Sequence, residues 1–230
     1  ESPFVGQPTV VDAQQMGRGQ VEPGVVSAET GAASYDYISQ AVQAANRGTV
    51  AAVVTCPIHK EAFHAARVPY PDHTEMLADM TNCRRYCMML TSDVISCSLV
   101  TTHIGLCEVA DALSVERILE VIHLTDEAMR ARHGRPSRLT VCGLNPHAGE
   151  HGLFGRGEEE RLIEPAVVAA RRDGLSVTGP LPPDAAFVAS RRCETDAYIC
   201  MYHDQGLIPL KALAFESAIN VTLGLPIIRS

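Results

Sequence analysis

No apolar run in the 230 residues approaches the roughly 18 needed to cross a membrane, so no membrane partner is expected. Basic tracts are lacking as well. Lys and Arg number 19 against 27 Asp and Glu, a formal net charge of -8. A nucleic-acid binder needs the opposite sign clustered on one face, so that class is not expected either. A small anionic substrate remains compatible, because a few local cations suffice. The opening ESPFVGQPTVVDAQQ has no basic segment followed by an apolar one, so no signal peptide is visible. The first residue is Glu1, not Met, which reads as a piece of a longer chain.

Several catalytic signatures are missing too. There is no Walker A sequence and no G-x-G-x-x-G, and GLFGRGEEE (152–160) does not follow a strand directly. A standard Rossmann site is therefore not supported. No G-x-S-x-G elbow and no paired-carboxylate glycosidase pattern stands out. Eight cysteines are present, at 56, 83, 87, 97, 107, 142, 193 and 200, and none forms a C-x-x-C pair. Several lie in apolar runs, so buried reduced thiols and a cytoplasmic location are expected. Zinc held by Cys83 and Cys87 would need a second pair, which does not follow.

What is present is an ordinary globular composition, 46% hydrophobic and 20% charged. Residues 1–31 read as loop with at most one short strand. Residues 34–46 place Tyr37, Ile38, Ala41, Val42 and Ala45 on one helical face, with Gly48 as the stop. The run VAAVVTCP (50–57) suits a buried strand. A short helix is expected over 74–82, and strands over 87–92 and 95–102 with a turn at Ser92–Asp93. The clearest helix spans 115–134, with Ser114 as N-cap, Gly134 as stop, and Ile118, Val121, Ile122, Thr125 and Met129 on one face. Strands follow over 138–145, 175–180 and 196–203. A helix is expected over 157–173, which Pro165 should kink or break. Strands alternating with helices indicate an α/β fold.

In such folds ligands gather outside the carboxyl ends of strands. Three expected strands run into a histidine: SLVTT into His103, TVCGLNP into His147, and YICMY into His203. Three imidazoles sharing one rim could hold a divalent metal and leave a coordination position open. The cluster Asp72, His73, Thr74 and Glu75 admits two readings. Asp72 or Thr74 caps the following helix, or His73 and Thr74 donate to an anionic substrate. Lys211, Asn220 and Arg229, spaced nine residues apart, could clamp a phosphate or carboxylate, or could be ordinary surface residues. His123 and His133 read as surface or helix-end residues. His59, His64 and His151 read as loop or short-helix residues.

The strings TCPIHK (55–60), HTE (73–75), TTHIGL (101–106), VCGLNPHAGEHG (141–152), GPLPPD (179–184), YHDQGLIPLK (202–211) and INVTLGLPIIR (219–229) occur in this order. Together they closely resemble the 4-hydroxythreonine-4-phosphate dehydrogenase family of pyridoxal phosphate biosynthesis, over nearly the whole chain from about residue 20. The resemblance implies a two-lobed α/β/α fold of the isocitrate/isopropylmalate dehydrogenase-like type, with interleaved lobes and a cleft. It implies one divalent metal ion on His103, His147 and His203, and substrate contacts from His73, Thr74, Lys211, Asn220 and Arg229. It puts Asp184 near the site, and Asp184, Asp204 and Lys211 are the candidates for general base. NAD or NADP would oxidise a secondary alcohol of a small phosphorylated hydroxy acid, 4-phosphooxy-L-threonine, and loss of CO2 would give 3-amino-2-oxopropyl phosphate. Family members are homodimers with a shared active site. Histidine ligands favour Zn or Co over Mg, with Mn also open. Two other readings carry the same motifs: a D-threonate or D-erythronate 4-phosphate dehydrogenase, and a non-catalytic metal- and phosphate-binding remnant. The family's opening GDPxGIGPE and closing DHGTA-type segments are not in this sequence, so truncation at both ends is expected. Asp72 and Ala185 stand where the family commonly has Gly and Thr.

Overall fold

Apolar, β-branched runs punctuated by capped helices lay out the chain, and the computed structural model describes residues 10–16, 21–70 and 72–229 of it. In chain order these hold α1 (Ala28–Asn46), β1 (Ala52–Val53), α2 (Lys60–Ala65), α3 (His73–Met80), β2 (Cys87–Thr91) and β3 (Ser96–Leu99). Then come α4 (Val109–Ala112), α5 (Val115–His133), β4 (Arg138–Cys142), α6 (Glu164–Arg172), β5 (Ser176–Leu181), α7 (Pro183–Ala186) and α8 (Ala189–Arg192). The last are β6 (Ala197–Cys200), α9 (His203–Ala214), β7 (Ile219–Leu223) and β8 (Ile228–Arg229). Contacts divide the chain into two units, one reaching to Arg84 and resuming at Leu225, the other spanning Arg85–Gly224.

In the first unit, α1 begins at Ala28 rather than at residue 34, because the Ser27 hydroxyl accepts from Thr30 N at 3.2 Å and caps it there. Ile38 and Val42 are buried as the periodicity indicates, but Tyr37 is 45% exposed. Gly31 lets α1 approach α2, since a Cβ there would lie 2.1 Å from the Ala62 carbonyl oxygen. Ile38, Val42, Phe63, Met76 and Leu77 form the core. The run 50–57 is not a buried strand. Only Ala52–Val53 pairs, in parallel with β8, and Val54 is 83% exposed. An apolar run bounded by a turn signal does not by itself reveal how many partner strands lie beside it. The short strand expected within 1–31 lies partly outside the described residues; 10–16 and 21–27 hold none.

The second unit is built on a six-stranded sheet in the order β5-β4-β6-β3-β2-β7. The pairs β5–β4, β4–β6 and β6–β3 are parallel, while β2 runs antiparallel to both β3 and β7. One face, with Leu139, Val141, Ile199 and Val177, packs with α5 and α6 residues such as Ile118, Ile122 and Val167. The other face, with Cys97, Leu99, Cys142, Tyr198 and Cys200, packs with Leu207 and Leu210 of α9. Alternation along each strand thus feeds two apolar layers, which makes an α/β/α arrangement of this unit.

Helix α5 follows its sequence signals closely. Ser114 caps Arg117 N at 3.1 Å, Gly134 closes it at φ 65°, and all five residues of the expected face are buried. Pro165 does not kink a continuous helix. A π-helical turn, Glu159–Ile163, precedes it and runs directly into α6, so the helix takes up Pro165 as a change of hydrogen-bond register rather than a break. Half the cysteines are not buried as expected. Cys87, Cys97, Cys142 and Cys200 are, whereas Cys56, Cys107 and Cys193 are exposed and Cys83 is intermediate. All eight are free thiols.

Candidate functional site

Parallel pairing of β3, β4, β5 and β6 brings their carboxyl ends to one rim of the second unit. The chain leaves these ends toward His103, His147, Asp184 and His203 respectively. Side chains lock the rim together. Thr101 donates from Oγ1 to the Met201 carbonyl at 2.7 Å, joining the ends of β3 and β6. Gln205, 6% exposed, accepts from Met201 N at 2.7 Å and donates to the Gly143 carbonyl at 2.7 Å. It therefore ties the first turn of α9 to β6 and β4. Gly206 lets that turn sit down on the sheet, since a Cβ there would lie 2.9 Å from Cys200 Sγ.

The outcome is a pair of imidazoles. The His103 and His203 ring centroids are 5.8 Å apart, tilted by 46°. His203 Nδ1 lies 2.6 Å from Asp204 Oδ1, so the carboxylate fixes the ring and directs Nε2 away from itself. A cavity of about 440 Å³ opens here, lined by Thr102, His103, Ile104, Tyr202, His203 and Asp204 among others. Burial, and then the Asp204 charge, raises the Tyr202 phenol above its ordinary value. His147 is in a left-handed conformation, φ 54°, with its ring centroid 5.9 Å from that of Phe154. Among the described residues, no three His, Cys, Asp or Glu side chains form a group that could hold a metal ion.

Asp184 stands exposed in the first turn of α7. Lys211 is exposed two turns along α9, and Asn220 is exposed near the start of β7, opposite Leu90 of β2. Because β7 runs in the same sense as β3, Asn220 lies toward the rim where β3 begins, away from the histidine rim. Spacing along the sequence carried no information about that reversal.

The first unit holds a second polar cluster. Asp72 caps α3 through Oδ1, which accepts from Thr74 N at 2.7 Å, so the capping reading of this segment is correct. His73 is nonetheless 8% exposed, and among the described residues its Nε2 has no hydrogen-bond partner; nor does Glu75 Oε2. Burial lowers the His73 pKa, the Arg229 charge lowers it further, and Asp72 opposes both. Burial raises Glu75 to about 7, assisted by a hydrogen bond with Asp72 and by its charge, and opposed by Lys60. Arg229 is also lowered by burial, against Asp72. Its Nε and NH2 groups donate to Thr55 Oγ1 at 3.2 and 2.9 Å. This cluster offers a neutral imidazole and a positioned guanidinium to one anionic group. Thr55 and Gln205 were not singled out from the sequence, although each lies inside a motif string, and Glu75 was named only as part of the polar cluster, without a role. What marks them is burial or a partner distant in the chain.

An α/β unit with ionisable side chains at the carboxyl ends of its parallel strands has the layout of ligand-binding proteins of that class. Comparison with known proteins narrows this. The chain is 52% identical over 204 residues to 4-hydroxythreonine-4-phosphate dehydrogenase of Desulfosudis oleivorans, covering 88% of this chain and 60% of that one. It is 44% identical over 210 residues to D-threonate 4-phosphate dehydrogenase of Salmonella typhimurium, covering 91% and 64%. The crystal structure of 4-hydroxythreonine-4-phosphate dehydrogenase from Klebsiella pneumoniae matches with a TM-score of 0.83 at 44% identity, covering 91% and 64%. The model of the pyridoxal phosphate biosynthetic protein PdxA matches residues 3–230, and the chain belongs to that family. It spans about three fifths of the length of these curated relatives.

Proposed function

We propose that this chain is the larger part of a metal-dependent, NAD- or NADP-linked dehydrogenase acting on 4-phosphooxy-L-threonine. The product would be 3-amino-2-oxopropyl phosphate after loss of CO2. The observation that carries the reading is the His103–His203 pair, 5.8 Å between rings, with Asp204 bracing His203. The donor set suits a divalent ion. Two imidazoles face one cavity, and one of them has its second nitrogen held by a carboxylate, the usual arrangement around a ligating histidine. His103, His203 and His147 would hold the ion, with Zn or Co favoured over Mg and Mn also open. The homodimer with a shared active site that the family resemblance implies belongs to the same proposal. When bound, the ion lowers the pKa of a substrate hydroxyl and polarises the resulting ketone.

The chain's own residues supply binding and proton handling. In the first unit, His73, Thr74 and Arg229 bind an anionic group, with Thr55 aligning the guanidinium. In the second, Asp204 is committed to His203, so moving the substrate proton falls to Asp184 or Lys211. Lys211 is assigned a further substrate contact, and Asn220, which lies away from the histidine rim of its own chain, is assigned one only within the shared site of a homodimer. The two-lobed isocitrate dehydrogenase-like architecture belongs to the same proposal. A second substrate, D-threonate 4-phosphate, is favoured by the Salmonella relative. The test measures NADH or NADPH formation with each substrate and each dinucleotide. Turnover of 4-phosphooxy-L-threonine alone supports the first reading, and turnover of the sugar acid alone replaces it with the second. Binding of metal and phosphate without turnover of either marks a non-catalytic remnant.

A further inference from the structure

We infer that Glu159 is the positioning residue for His147, fixing the loop that aims its imidazole; this rests on the metal role proposed above. The loop is held in an unusual shape. His147, Ala148, Glu150 and His151 all have left-handed backbones, with φ of 54°, 52°, 42° and 56°. Each such non-glycine residue costs about 1 kcal/mol or more and persists only when its surroundings enforce it. Glu159 clamps the entry to this stretch, at Leu144 and Asn145. Its side chain is fully buried, yet no cation pairs with it among the described residues. Oε1 accepts from Leu144 N at 2.8 Å and Asn145 N at 2.7 Å, and Oε2 accepts from Asn145 Nδ2 at 2.9 Å. The loop's own donors are therefore what satisfies the carboxylate.

The neighbouring Glu158, 2% exposed, completes the lock. Its Oε2 accepts from Asn145 Nδ2 at 3.0 Å and Arg156 N at 2.7 Å. Burial alone would raise the Glu158 pKa, but those donors and the Arg156 charge outweigh it and lower it. Glycines make room for the lock. A Cβ on Gly149 would lie 2.8 Å from Glu159 Oε2, and one on Gly155 would lie 2.3 Å from Asn145 Nδ2. The π-helical turn starts at Glu159 itself, a distortion that aims this side chain back at the loop. Glu159→Gln keeps the shape but turns an amide N–H2 toward Asn145 Nδ2, so one donor must lose its acceptor.

The test is a double-mutant cycle read by titrating the purified protein with Zn2+ or Co2+ alone, with thermal stability measured in parallel. E159Q is expected to weaken metal binding about tenfold, the scale for a group that orients a ligand. In an H147A background E159Q should cost no further affinity, while its stability loss should appear in both backgrounds. An equal affinity loss with and without His147 would show a purely structural role and overturn the inference, as would unchanged affinity in E159Q beside a loss in H147A. Unchanged affinity in H147A overturns the metal reading and this inference with it. Asn145→Ala removes only the amide bridge and leaves both backbone bonds, so it carries the same cycle, with a smaller loss, if E159Q does not fold.

Discussion

Gln205 donates from Nε2 to the carbonyl oxygen of Gly143 across 2.7 Å, linking residues 62 apart in sequence. The same side chain accepts from Met201 N. A buried amide that satisfies two backbone groups from two strand ends sets the distance between the loops carrying His147 and His203. Gln205→Leu fills the same space but leaves a backbone N–H and a C=O buried without partners. A loss of about 2–4 kcal/mol in unfolding free energy is expected. Urea unfolding checks it, and a change below about 0.5 kcal/mol would show that the bridge is incidental.

Gly206 sits one residue further on, where α9 touches the sheet. A methyl group there would press on Cys200 Sγ at 2.9 Å and Cys97 Cβ at 3.1 Å. Overpacking costs about 1–3 kcal/mol, whereas replacing a helical glycine by alanine alone gains about 1 kcal/mol. Gly206→Ala should therefore be net destabilising, and adding Cys200→Ala should restore part of the loss by removing the sulfur. If the double variant is simply the sum of the two single losses, the close approach is not the cause.

Much of this arrangement was legible in the sequence. The strands stop short of His103, His147 and His203, at Leu99, Cys142 and Cys200, and His203 opens α9, but the apolar runs did signal which strands lead to them, and α5 announced both its caps. The parts that were hidden depend on partners far away in the chain. The run at 50–57 looks like a core strand because Val and Ala are apolar, yet pairing needs neighbours, and the pairing found is two residues long. Asn220 falls at the far rim because β7 reverses relative to β2, a matter of topology. Pro165 signalled an irregularity rather than a break: the helix runs on through a π-helical turn, Glu159–Ile163, just ahead of it.

The first unit should show a pH dependence of opposing parts. Glu75 has its pKa raised from 4.5 to about 7, so the folded state holds this proton more tightly than the unfolded chain does. That contribution to stability is complete below about pH 4.5 and is lost as pH rises toward 7. His73 has its pKa lowered from 6.5, so it acts in the reverse sense: its contribution is present above 6.5 and is lost on acidification. Glu75→Gln removes the first effect and leaves the second. The melting temperature of E75Q should therefore rise more steeply between pH 5 and 7 than that of the parent, and parallel curves would contradict the assignment.

Asp204 provides the sharpest separation between packing and metal binding. It is exposed, on the first turn of α9, and it pairs with His203 Nδ1 at 2.6 Å. An exposed pair contributes little to stability, so Asp204→Asn should leave the melting temperature of the metal-free protein within about 2 °C. The carboxylate nevertheless fixes the ring orientation and strengthens Nε2 as a donor, a role whose loss costs about 10–100-fold in metal affinity. Zn2+ titration of D204N beside H203A reads this directly. H203A should lose binding, D204N should weaken it, and neither should unfold. A D204N variant that binds Zn2+ as tightly as the parent, with H203A still defective, would show that the imidazole needs no brace and that Asp204 is available to move the substrate proton.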